Sequence, residues 1–415
     1  MFHQCSHIET ETKEIPQLEF RLADFFNTWW DTYSKNPKKF IKPEQYKAVN
    51  AIRVCRTAVL GVDVYACPEC GEVSELYYSC KNRFCPKCSW KDTVQWAAKV
   101  KERMLKVPHR HIVLTLPHIL NGLIKRNQYK LLALLMRTAA DTFKDWMLNK
   151  YGVKIGIISV LHTFGEEKLF HVHVHMIVSW AGVRPKYNNL KIIKNAFVKY
   201  NFLQDKFRCK FEDELIAMFD HNQLAHDFAN KLDFMKFIKK LNTHDWVLHL
   251  EPPIDTPEKV IRYIGRYSKR ACISEYKITN IEGAYISFKY KDNKNRNQND
   301  KQPIEKILRL HYNDFFPRLL QHVPLPYFKI VRYYGIYSNK GSIPEECFCK
   351  TNENDIFEKD IENPKECKNC SKDKKYIYTI FDLRKRNERT SIFDMSLHKH
   401  IIINRYQIKE ERHAA

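Results

Sequence analysis

The sequence predicts an α+β protein in which an antiparallel sheet with flanking helices follows a small cysteine-containing module. The sheet is indicated by LFHVHVHMIVSW, residues 169–180, where apolar residues and histidines alternate like residues on the two faces of a strand. Residues 155–163 are also strand-like, and the polar turn between the two runs is short enough for an antiparallel hairpin. The module is indicated by two CxxC pairs with 14 residues between them.

Length and charge indicate a multidomain protein that binds nucleic acid. The 415 residues suffice for two or three domains of about 150 residues each. The 70 Lys and Arg residues exceed the 48 Asp and Glu residues, and 22 Tyr, 25 Phe and 7 Trp residues accompany the resulting net charge of +22. Positive charge attracts phosphates, and aromatic rings stack on bases. Solubility is the competing explanation of the charge, but acidic residues serve solubility better.

The expected compartment is the cytoplasm, where a DNA-binding protein would associate with the nucleoid. The N-terminus lacks the apolar core of a signal peptide, and no run of about 18 apolar residues predicts a membrane span. Thiols stay reduced in that compartment. The 13 cysteines are therefore expected to be metal ligands or free thiols, not disulfides.

The first third of the chain predicts two helices, the module and a further helix. Residues 1–60 are expected to form an N-terminal helical region, because apolar residues recur there at three- and four-residue steps. The module follows at residues 61–106, and its last part, from Ser89 to Leu105, is helix-like. A strand is expected from His111, and Asn127 is expected to cap a long helix that ends near Gly152.

Cysteine spacing predicts one structural zinc ion in the module. Cys67 and Cys70 form one pair and Cys85 and Cys88 the other, close to the spacing of a zinc ribbon, in which four thiolates close a tetrahedron. Cys80 is a surplus thiol that could replace one of the four ligands. A cluster of buried free cysteines is the alternative, but it does not explain two knuckles that each contain Cys-Pro.

The histidine strand predicts a second metal site. His171, His173 and His175 project from one face of the strand, and imidazole is the commonest metal-binding side chain. The hairpin can bring His162 beside this row as a further ligand. An exposed strand face with solvated histidines is the alternative, but three histidines at alternate positions inside an apolar strand favour a metal.

A helix with two tyrosines is predicted after a mainly helical insertion, residues 183–244, and a strand ending at Leu250. Thr256-Pro257-Glu258 is a good helix start, and Tyr263 and Tyr267 then lie one turn apart on one face. The tyrosines could be ordinary core aromatics or nucleophiles. Basic residues that could bind DNA surround them: Arg262, Arg266, Lys269 and Arg270.

Two further arginines lie in basic, aromatic segments that could face DNA: Arg83 in the cysteine module and Arg332 after a polar loop predicted at Lys289 to Pro303. Arg83 could equally belong to a solvated rim. The remaining residues, 341–415, are expected to form a tail. It contains cysteines that could bind a second zinc ion, although acidic residues separate them: Cys347, Cys349, Cys367 and Cys370.

Five segments occur in the same order in the transposases of the insertion-sequence 91 family, which this chain therefore resembles from about residue 40 to 340. They are SCKNRFCPKC, IVLTLPH, VLHTFGEEKLFHVHVHMIV, YIGRYSKRACIS and FKIVRYYG. The resemblance implies a zinc-binding module followed by a rolling-circle nuclease of the HUH type, named for His-hydrophobic-His, over residues 107–340. His173-Val174-His175 is then the HUH pair, and His162 ranks narrowly above His171 as third ligand.

The resemblance also implies the reaction and its partners. Tyr263 and Tyr267 would cleave single-stranded DNA, recognised beside hairpins at the element ends, and leave a 5′ phosphotyrosine and a free 3′ hydroxyl. The catalytic ion would be Mg²⁺ or Mn²⁺, although imidazole ligands alone suggest a transition metal. Because the phosphotyrosine preserves the energy of the broken bond, no nucleotide cofactor is expected.

Two other functions compete with transposition. A plasmid replication initiator or relaxase of the HUH type would share the nuclease but lack the pair of CxxC motifs. A non-enzymatic zinc-ribbon DNA-binding protein would explain the charge and the cysteines, but it leaves the histidine row and the two tyrosines unused.

Overall fold

The computed structural model describes residues 20–187, 189–193, 198–254, 259–260, 271–296, 303–338, 347–348, 366–381 and 401–403. The helices in these ranges are α1 (Leu22–Ser34), α2 (Pro43–Arg53), α3 (Pro86–Lys101), α4 (Asn121–Arg126), α5 (Gln128–Tyr151), α6 (Tyr200–Asp220), α7 (Lys231–Leu241) and α8 (Tyr312–Leu320). The strands are β1 (Val62–Ala66), β2 (Val73–Tyr77), β3 (His109–Thr115), β4 (Lys154–Phe164), β5 (Phe170–Arg184), β6 (Asn189–Ile192), β7 (Val247–Leu250), β8 (Ile278–Glu282), β9 (Tyr285–Arg296), β10 (Pro303–His311), β11 (Val331–Gly335), β12 (Lys375–Phe381) and β13 (Ile401–Ile403).

These strands form three antiparallel sheets, which confirms the predicted α+β class. The central sheet has the order β11-β4-β5-β3-β7, with β6 paired to the far end of β5. A second sheet has the order β10-β9-β8, and a third has the order β13-β12-β1-β2. The cysteine module contributes β1 and β2 to the third sheet.

One face of the central sheet is covered by helices and forms the largest core. The alternation of β5 sends Val172, Val174 and Met176 to this face, where they are fully buried. The long helix α5 packs on them through an apolar side that includes Leu135 and Phe143. Burial of these side chains fixes the register of β5 and therefore the face on which its histidines lie.

The opposite face carries the histidines at one end and a smaller core at the other. That smaller core contains Ile158 of β4 and Ile177 of β5, with Trp96 of α3 packed on them. Val260, which precedes the two predicted tyrosines, is fully buried in the same cluster. The histidine end is left without such an apolar cover within the described residues.

Helices α1 and α2 pack with α8 in an aromatic core beside the cysteine module. Phe25 and Trp30 of α1 meet Phe316 of α8 with ring centroids 5.9 and 5.4 Å apart. The same cluster includes Cys85 and Cys88. The N-terminal helices predicted from their apolar spacing therefore support the module.

Several predicted boundaries differ in detail. Helix α3 begins at Pro86, three residues earlier than expected, because proline fits the first turn of a helix. Helix α5 ends at Gly152 as predicted, with φ of +70° at that glycine. Asn127 precedes α5, but its side chain does not cap the helix, since Asn127 Oδ1 accepts a hydrogen bond from the Ala225 amide at 2.8 Å.

The polar loop predicted at residues 289–303 is wrong for most of its length. Residues 289–296 belong to β9, which pairs with β10. Cross-strand charge pairs stabilise this polar hairpin: Lys289 Nζ lies 3.0 Å from Glu305 Oε1, and Lys306 Nζ lies 2.8 Å from Asp292 Oδ2. Low apolar content therefore does not exclude a strand where opposite charges face each other.

The segment after residue 340 is not a separate tail in its described part, because β12 pairs with β1 along five residues. No described helix combines the length and the apolar character that crossing a membrane requires.

Candidate metal centres and nuclease site

Three histidines converge on the open face of the central sheet. His162 of β4 is paired directly with His173 of β5, so both imidazoles project from the same face, and His175 follows two residues later. His173 Nε2 lies 3.1 Å from His175 Nε2. One ring nitrogen from each of the three lies within 4.8 Å of the others. This is the cluster expected from the hairpin.

The donor set and its spacing fit a divalent ion. Metal–nitrogen bonds of about 2.1 Å put neighbouring ligand nitrogens about 3.0 to 3.4 Å apart, close to the spacing of His173 and His175. Burial, and then the neighbouring imidazole of His162, hold the pKa of His173 and of His175 well below the ordinary value of 6.5. Both rings are therefore neutral at pH 7, which is the form that binds a metal.

The orientation of the His175 ring is fixed by contacts with His111 and, through it, with Glu251. His111 of β3 stacks on His175, with ring planes 15° apart, and His111 Nε2 lies 2.9 Å from His175 Nδ1. Glu251 Oε1 lies 3.3 Å from His111 Nδ1. Burial, opposed by the Glu251 carboxylate, lowers the pKa of His111 to about 4, so this ring is also neutral. A metal-binding histidine usually donates its other ring N–H to a partner that orients it. His111 and Glu251 are placed to act in this way for His175.

His171 lies beside this cluster, with its ring centroid 5.2 Å from that of His173, but it pairs with a different histidine. Its Nδ1 lies 2.8 Å from Nε2 of His118, which follows β3, so the two histidines pair with each other. His171 lies outside the three-histidine group found among the described residues. The structure therefore groups His162, and not His171, with His173 and His175. The ranking of His162 as third ligand stays a prediction.

Eight of the described cysteines form two clusters of four, and these clusters differ from the predicted arrangement. The first cluster unites Cys80, Cys85 and Cys88 with Cys55, which follows α2. The second unites the other pair with cysteines near the C-terminus: Cys67, Cys70, Cys367 and Cys370. The prediction that both CxxC pairs bind one ion is therefore corrected, and Cys80 is a member of a set of four. The cause is strand pairing, which joins β1 to β12.

The predicted set of Cys347, Cys349, Cys367 and Cys370 is corrected as well. Cys367 and Cys370 lie with Cys67 and Cys70, whereas Cys347 lies near the smaller core of the central sheet. Cys349 lies outside the described residues.

The first cysteine cluster fits a structural zinc ion. Zinc–sulfur bonds of about 2.3 Å put the sulfurs of a tetrahedral site about 3.8 Å apart. Cys88 Sγ lies 3.6 Å from both Cys55 Sγ and Cys80 Sγ, and Cys85 Sγ lies 3.6 Å from Cys55 Sγ. Four thiolates and this spacing suit zinc, and three of the four side chains are buried.

Arg83 connects the module to the central sheet. Its guanidinium donates to the Phe328 carbonyl at 3.2 Å, and Arg83 lines a cleft together with His162, His322 and Cys272. Arg332 of β11 is paired with Ser159, and neighbours of Ser159 on that side face α5. Arg332 therefore lies on the face opposite to the histidines, away from the cleft.

The two tyrosines and the basic residues around them lie outside the described residues: Tyr263, Tyr267, Arg262, Arg266, Lys269 and Arg270. The described residues on either side of them are anchored. Val260 is buried on the histidine face, and the Ala271 amide donates to Ser89 Oγ at 3.1 Å. Ala271 also lines the cleft that contains His162.

Sequence reasoning missed four residues of these centres. The sequence places His111 in a predicted strand and Glu251 directly after the strand that ends at Leu250. Their contact depends on β3 lying between β5 and β7, which no local pattern indicates. His118 was not singled out. Cys55 lacks a CxxC partner, so its only signal was a cysteine at the end of a helix beside a module with one surplus thiol.

Comparison with known proteins gives two family matches and two close relatives. Residues 156–344 match the family described as "Putative transposase", and residues 25–116 match "Transposase zinc-binding domain". The chain is 30% identical over 327 residues to "Putative transposase y4qJ" of Sinorhizobium fredii (strain NBRC 101917 / NGR234), covering 77% of this chain and 80% of the relative. It is also 30% identical over 306 residues to "Transposase for insertion sequence element IS801" of Pseudomonas savastanoi pv. phaseolicola, covering 71% of each. No solved structure matches the chain.

Proposed function

Because the chain belongs to the insertion-sequence 91 family of transposases, we propose that it moves DNA by nicking and rejoining single strands through a 5′ phosphotyrosine. The observation that carries this proposal is the group of three histidines, His162, His173 and His175, on one face of the central sheet. Of the described residues that flank both tyrosines, Val260 is buried on the same face of the sheet and Ala271 lines the cleft with His162. A DNA-binding protein without nuclease activity has no use for such a group.

Covalent geometry limits how far Tyr263 and Tyr267 can lie from the described residues on either side of them. Tyr263 is three residues from Val260, so its Cα lies within about 11 Å of an anchor on the histidine face. Tyr267 is four residues from Ala271, so its Cα lies within about 14 Å of a residue that lines the cleft with His162. Both limits follow from covalent geometry alone.

The tyrosine oxygen attacks the phosphorus of a phosphodiester in the reaction that we propose. A bond forms between that oxygen and phosphorus, and the bond from phosphorus to the 3′ oxygen of the preceding nucleotide breaks. The tyrosine gives up its proton and the leaving 3′ oxygen takes one up. Rejoining reverses these steps with the 3′ hydroxyl of another strand, so no nucleotide cofactor is needed.

His162, His173 and His175 would hold Mg²⁺ or Mn²⁺ in this reaction. A bound divalent ion supplies charge stabilisation at the phosphate oxygens. Magnesium prefers oxygen ligands, so three nitrogens favour manganese of the two. His111 and Glu251 keep Nδ1 of His175 protonated, so its Nε2 lone pair points towards the other two histidines.

The substrate that we propose is single-stranded DNA beside hairpins at the element ends. The net charge of +22 supplies general affinity for phosphates. Arg83 is a proposed DNA contact, since it lines the cleft that contains His162. Arg262, Arg266, Lys269 and Arg270 are proposed contacts on the tyrosine segment, and a protein with this substrate would act at the nucleoid.

Covalent trapping tests the proposal. Full-length protein with Mn²⁺ is incubated with labelled single-stranded oligonucleotides tiled across the DNA that flanks its coding sequence, and adducts are separated under denaturing conditions. Wild-type protein is expected to give an adduct that protease digestion removes. The double variant Tyr263→Phe/Tyr267→Phe is expected to give none, because phenylalanine removes only the nucleophilic oxygen.

Tyr276→Phe is the matched control. Tyr276 is 61% exposed and lies beyond the cleft-lining residues Ala271 and Cys272, so its loss should leave the adduct unchanged. An adduct of wild-type yield in the double variant would refute the assignment of the nucleophiles.

A further inference from the structure

The second cysteine cluster combines residues from opposite ends of the chain. Cys67 and Cys70 follow β1, whereas Cys367 and Cys370 precede β12, almost 300 residues later. We propose that these four cysteines bind a second structural zinc ion, which fastens the segment after the nuclease region to the module before it. The proposal is independent of the proposed nuclease reaction.

The sulfur positions fit one tetrahedral ion. Cys67 Sγ lies 3.5 Å from Cys370 Sγ, and Cys70 Sγ lies 3.4 Å from Cys367 Sγ and 3.9 Å from Cys370 Sγ. These distances bracket the separation of about 3.8 Å expected for four thiolates around zinc. Each of the four sulfurs lies within 4.8 Å of the other three.

The two CxxC segments have the same backbone fold. In the first, the Cys67 amide donates to the Glu72 carbonyl at 2.9 Å, and the Gly71 amide donates to the Cys67 carbonyl at 3.0 Å. In the second, the corresponding bonds join Cys367 to Lys372 at 2.8 Å and Ser371 to Cys367 at 2.9 Å.

The fourth residue after the first cysteine has a left-handed backbone in both segments, with φ of +73° at Gly71 and +55° at Ser371. A serine adopts this conformation only at a cost. Two unrelated stretches of sequence thus form the same tight turn, which directs the thiols of each pair towards one point. That is the arrangement of the two knuckles of a zinc ribbon.

The sheet holds the two knuckles together. Strand β1 is paired with both β2 and β12, and its last residue, Ala66, is opposite Lys375, the first residue of β12. Tyr65 and Tyr376 make an edge-to-face contact beside the cluster, with ring centroids 5.9 Å apart. The cysteines of both segments are therefore carried at the same end of the sheet, which orders the site before any ion binds.

Zinc is the ligand that this chemistry favours. A disulfide requires two sulfurs about 2.05 Å apart. Three pairs of sulfurs here lie 3.4 to 3.9 Å apart, and all four lie within 4.8 Å of one another. Glu72 Oε2 lies 2.8 Å from Cys367 Sγ, and the nearly buried Lys374 ammonium lies 3.3 Å from Glu72 Oε1. Lys374 thus offsets the charge of the carboxylate when metal binding releases the thiol proton of Cys367 to solvent.

The second site makes the zinc-binding module discontinuous. The match to the transposase zinc-binding domain, residues 25–116, contains Cys67 and Cys70 but not Cys367 or Cys370. Half of this site therefore comes from sequence beyond the nuclease match, which ends at residue 344. The ion would close the intervening chain into one loop and anchor β12 to β1.

Zinc content per chain tests the proposal, measured by elemental mass spectrometry on full-length protein. Cys370→Ala should lose one zinc ion relative to wild type, whereas Cys370→His should keep it, because imidazole replaces one thiolate in Cys₃His sites. The control is Cys209→Ala, since Cys209 is exposed on α6 and belongs to neither cluster. Its zinc content should equal that of wild type.

Unchanged zinc in a folded Cys370→Ala variant would overturn the proposal, as would iron in place of the second zinc. If Cys370→Ala does not fold, a chelator titration decides, carried out on His173→Ala so that the histidine centre adds no ion. The proposal requires two zinc ions released in two phases, the first from the cluster whose Cys70 is exposed. A single ion released in one phase refutes it.

Discussion

Replacing His111 by phenylalanine tests whether the histidine centre depends on residues behind its ligands. His111 stacks on His175 with ring centroids 5.1 Å apart, and a phenyl ring keeps that stacking. It removes the nitrogen that lies 2.9 Å from His175 Nδ1 and the nitrogen that faces Glu251. The substitution therefore changes hydrogen bonding while it largely conserves shape.

The expected loss follows from the tautomer of His175. Nε2 of His175 lies towards His173 and keeps its lone pair for the metal. The ring proton is then on Nδ1, which donates a hydrogen bond to Nε2 of His111. Removing the acceptor of a buried donor costs about 1 to 3 kcal/mol. Since 1.4 kcal/mol is a factor of ten, Mn²⁺ affinity should fall about 10- to 100-fold, the usual effect of losing an outer partner of a metal ligand. Glu251→Gln keeps an acceptor oxygen and should lose less.

Calorimetric titration of Mn²⁺ into protein without DNA measures this loss directly. Affinity for a single-stranded oligonucleotide should stay constant, because Lys and Arg supply it. His249→Phe is the matched control: His249 Nε2 lies 3.9 Å from the same Glu251 oxygen, but its side chain is 64% exposed. Wild-type Mn²⁺ affinity in a folded His111→Phe variant would refute the role given to His111.

Two further predictions concern other histidines. His173→Ala should abolish the DNA adduct and leave oligonucleotide binding nearly unchanged. His171→Ala should still form the adduct, because His171 pairs with His118. An equal loss of adduct in both variants, measured by covalent trapping, would contradict the ligand set. Burial lowers the pKa of His109 to about 4, so its ring stays neutral in the folded protein and accepts a hydrogen bond from the Tyr337 hydroxyl. In the unfolded chain the same ring takes up a proton below about pH 6.5. Stability from this group is complete above that pH and is lost as pH falls towards 4, by about 2 kcal/mol at pH 5. Denaturant titrations at pH 7.5 and pH 5 should therefore show a smaller pH dependence in His109→Gln, and an unchanged dependence would contradict this assignment.

Local periodicity was sufficient to predict much of the fold. The alternation in β5 and the short turn before it determined the β4–β5 hairpin, and apolar spacing determined α1, α2 and α5. The failure at residues 289–296 has a physical cause, since that strand is stabilised by charge pairs with β10 and has no apolar face in its second half. An apolar pattern cannot detect such a strand.

The histidine centre was predictable as far as one hairpin determines it. His162 and His173 are opposite each other because the turn between them sets the register. His111 and Glu251 come from strands that reach β5 only through the order of the whole sheet. The spacing of residues in the sequence does not indicate the order of strands in the sheet. The cluster of His162, His173 and His175 could therefore be predicted, whereas the contacts of His111 and Glu251 could not.

The cysteines show the same limit more sharply, because each CxxC pair stays together as predicted but the thiols that join it are not the predicted ones. A CxxC knuckle supplies two ligands, and any second pair of thiols at the right distance completes the site. Distance along the chain favoured the nearest pair, 14 residues away. Strand pairing instead joins β1 to β12, and α2 carries Cys55 to the pair that remains. Since closing a longer loop costs only about 0.6 kcal/mol for each doubling of its length, an extra strand pairing easily outweighs the preference for the nearer knuckle.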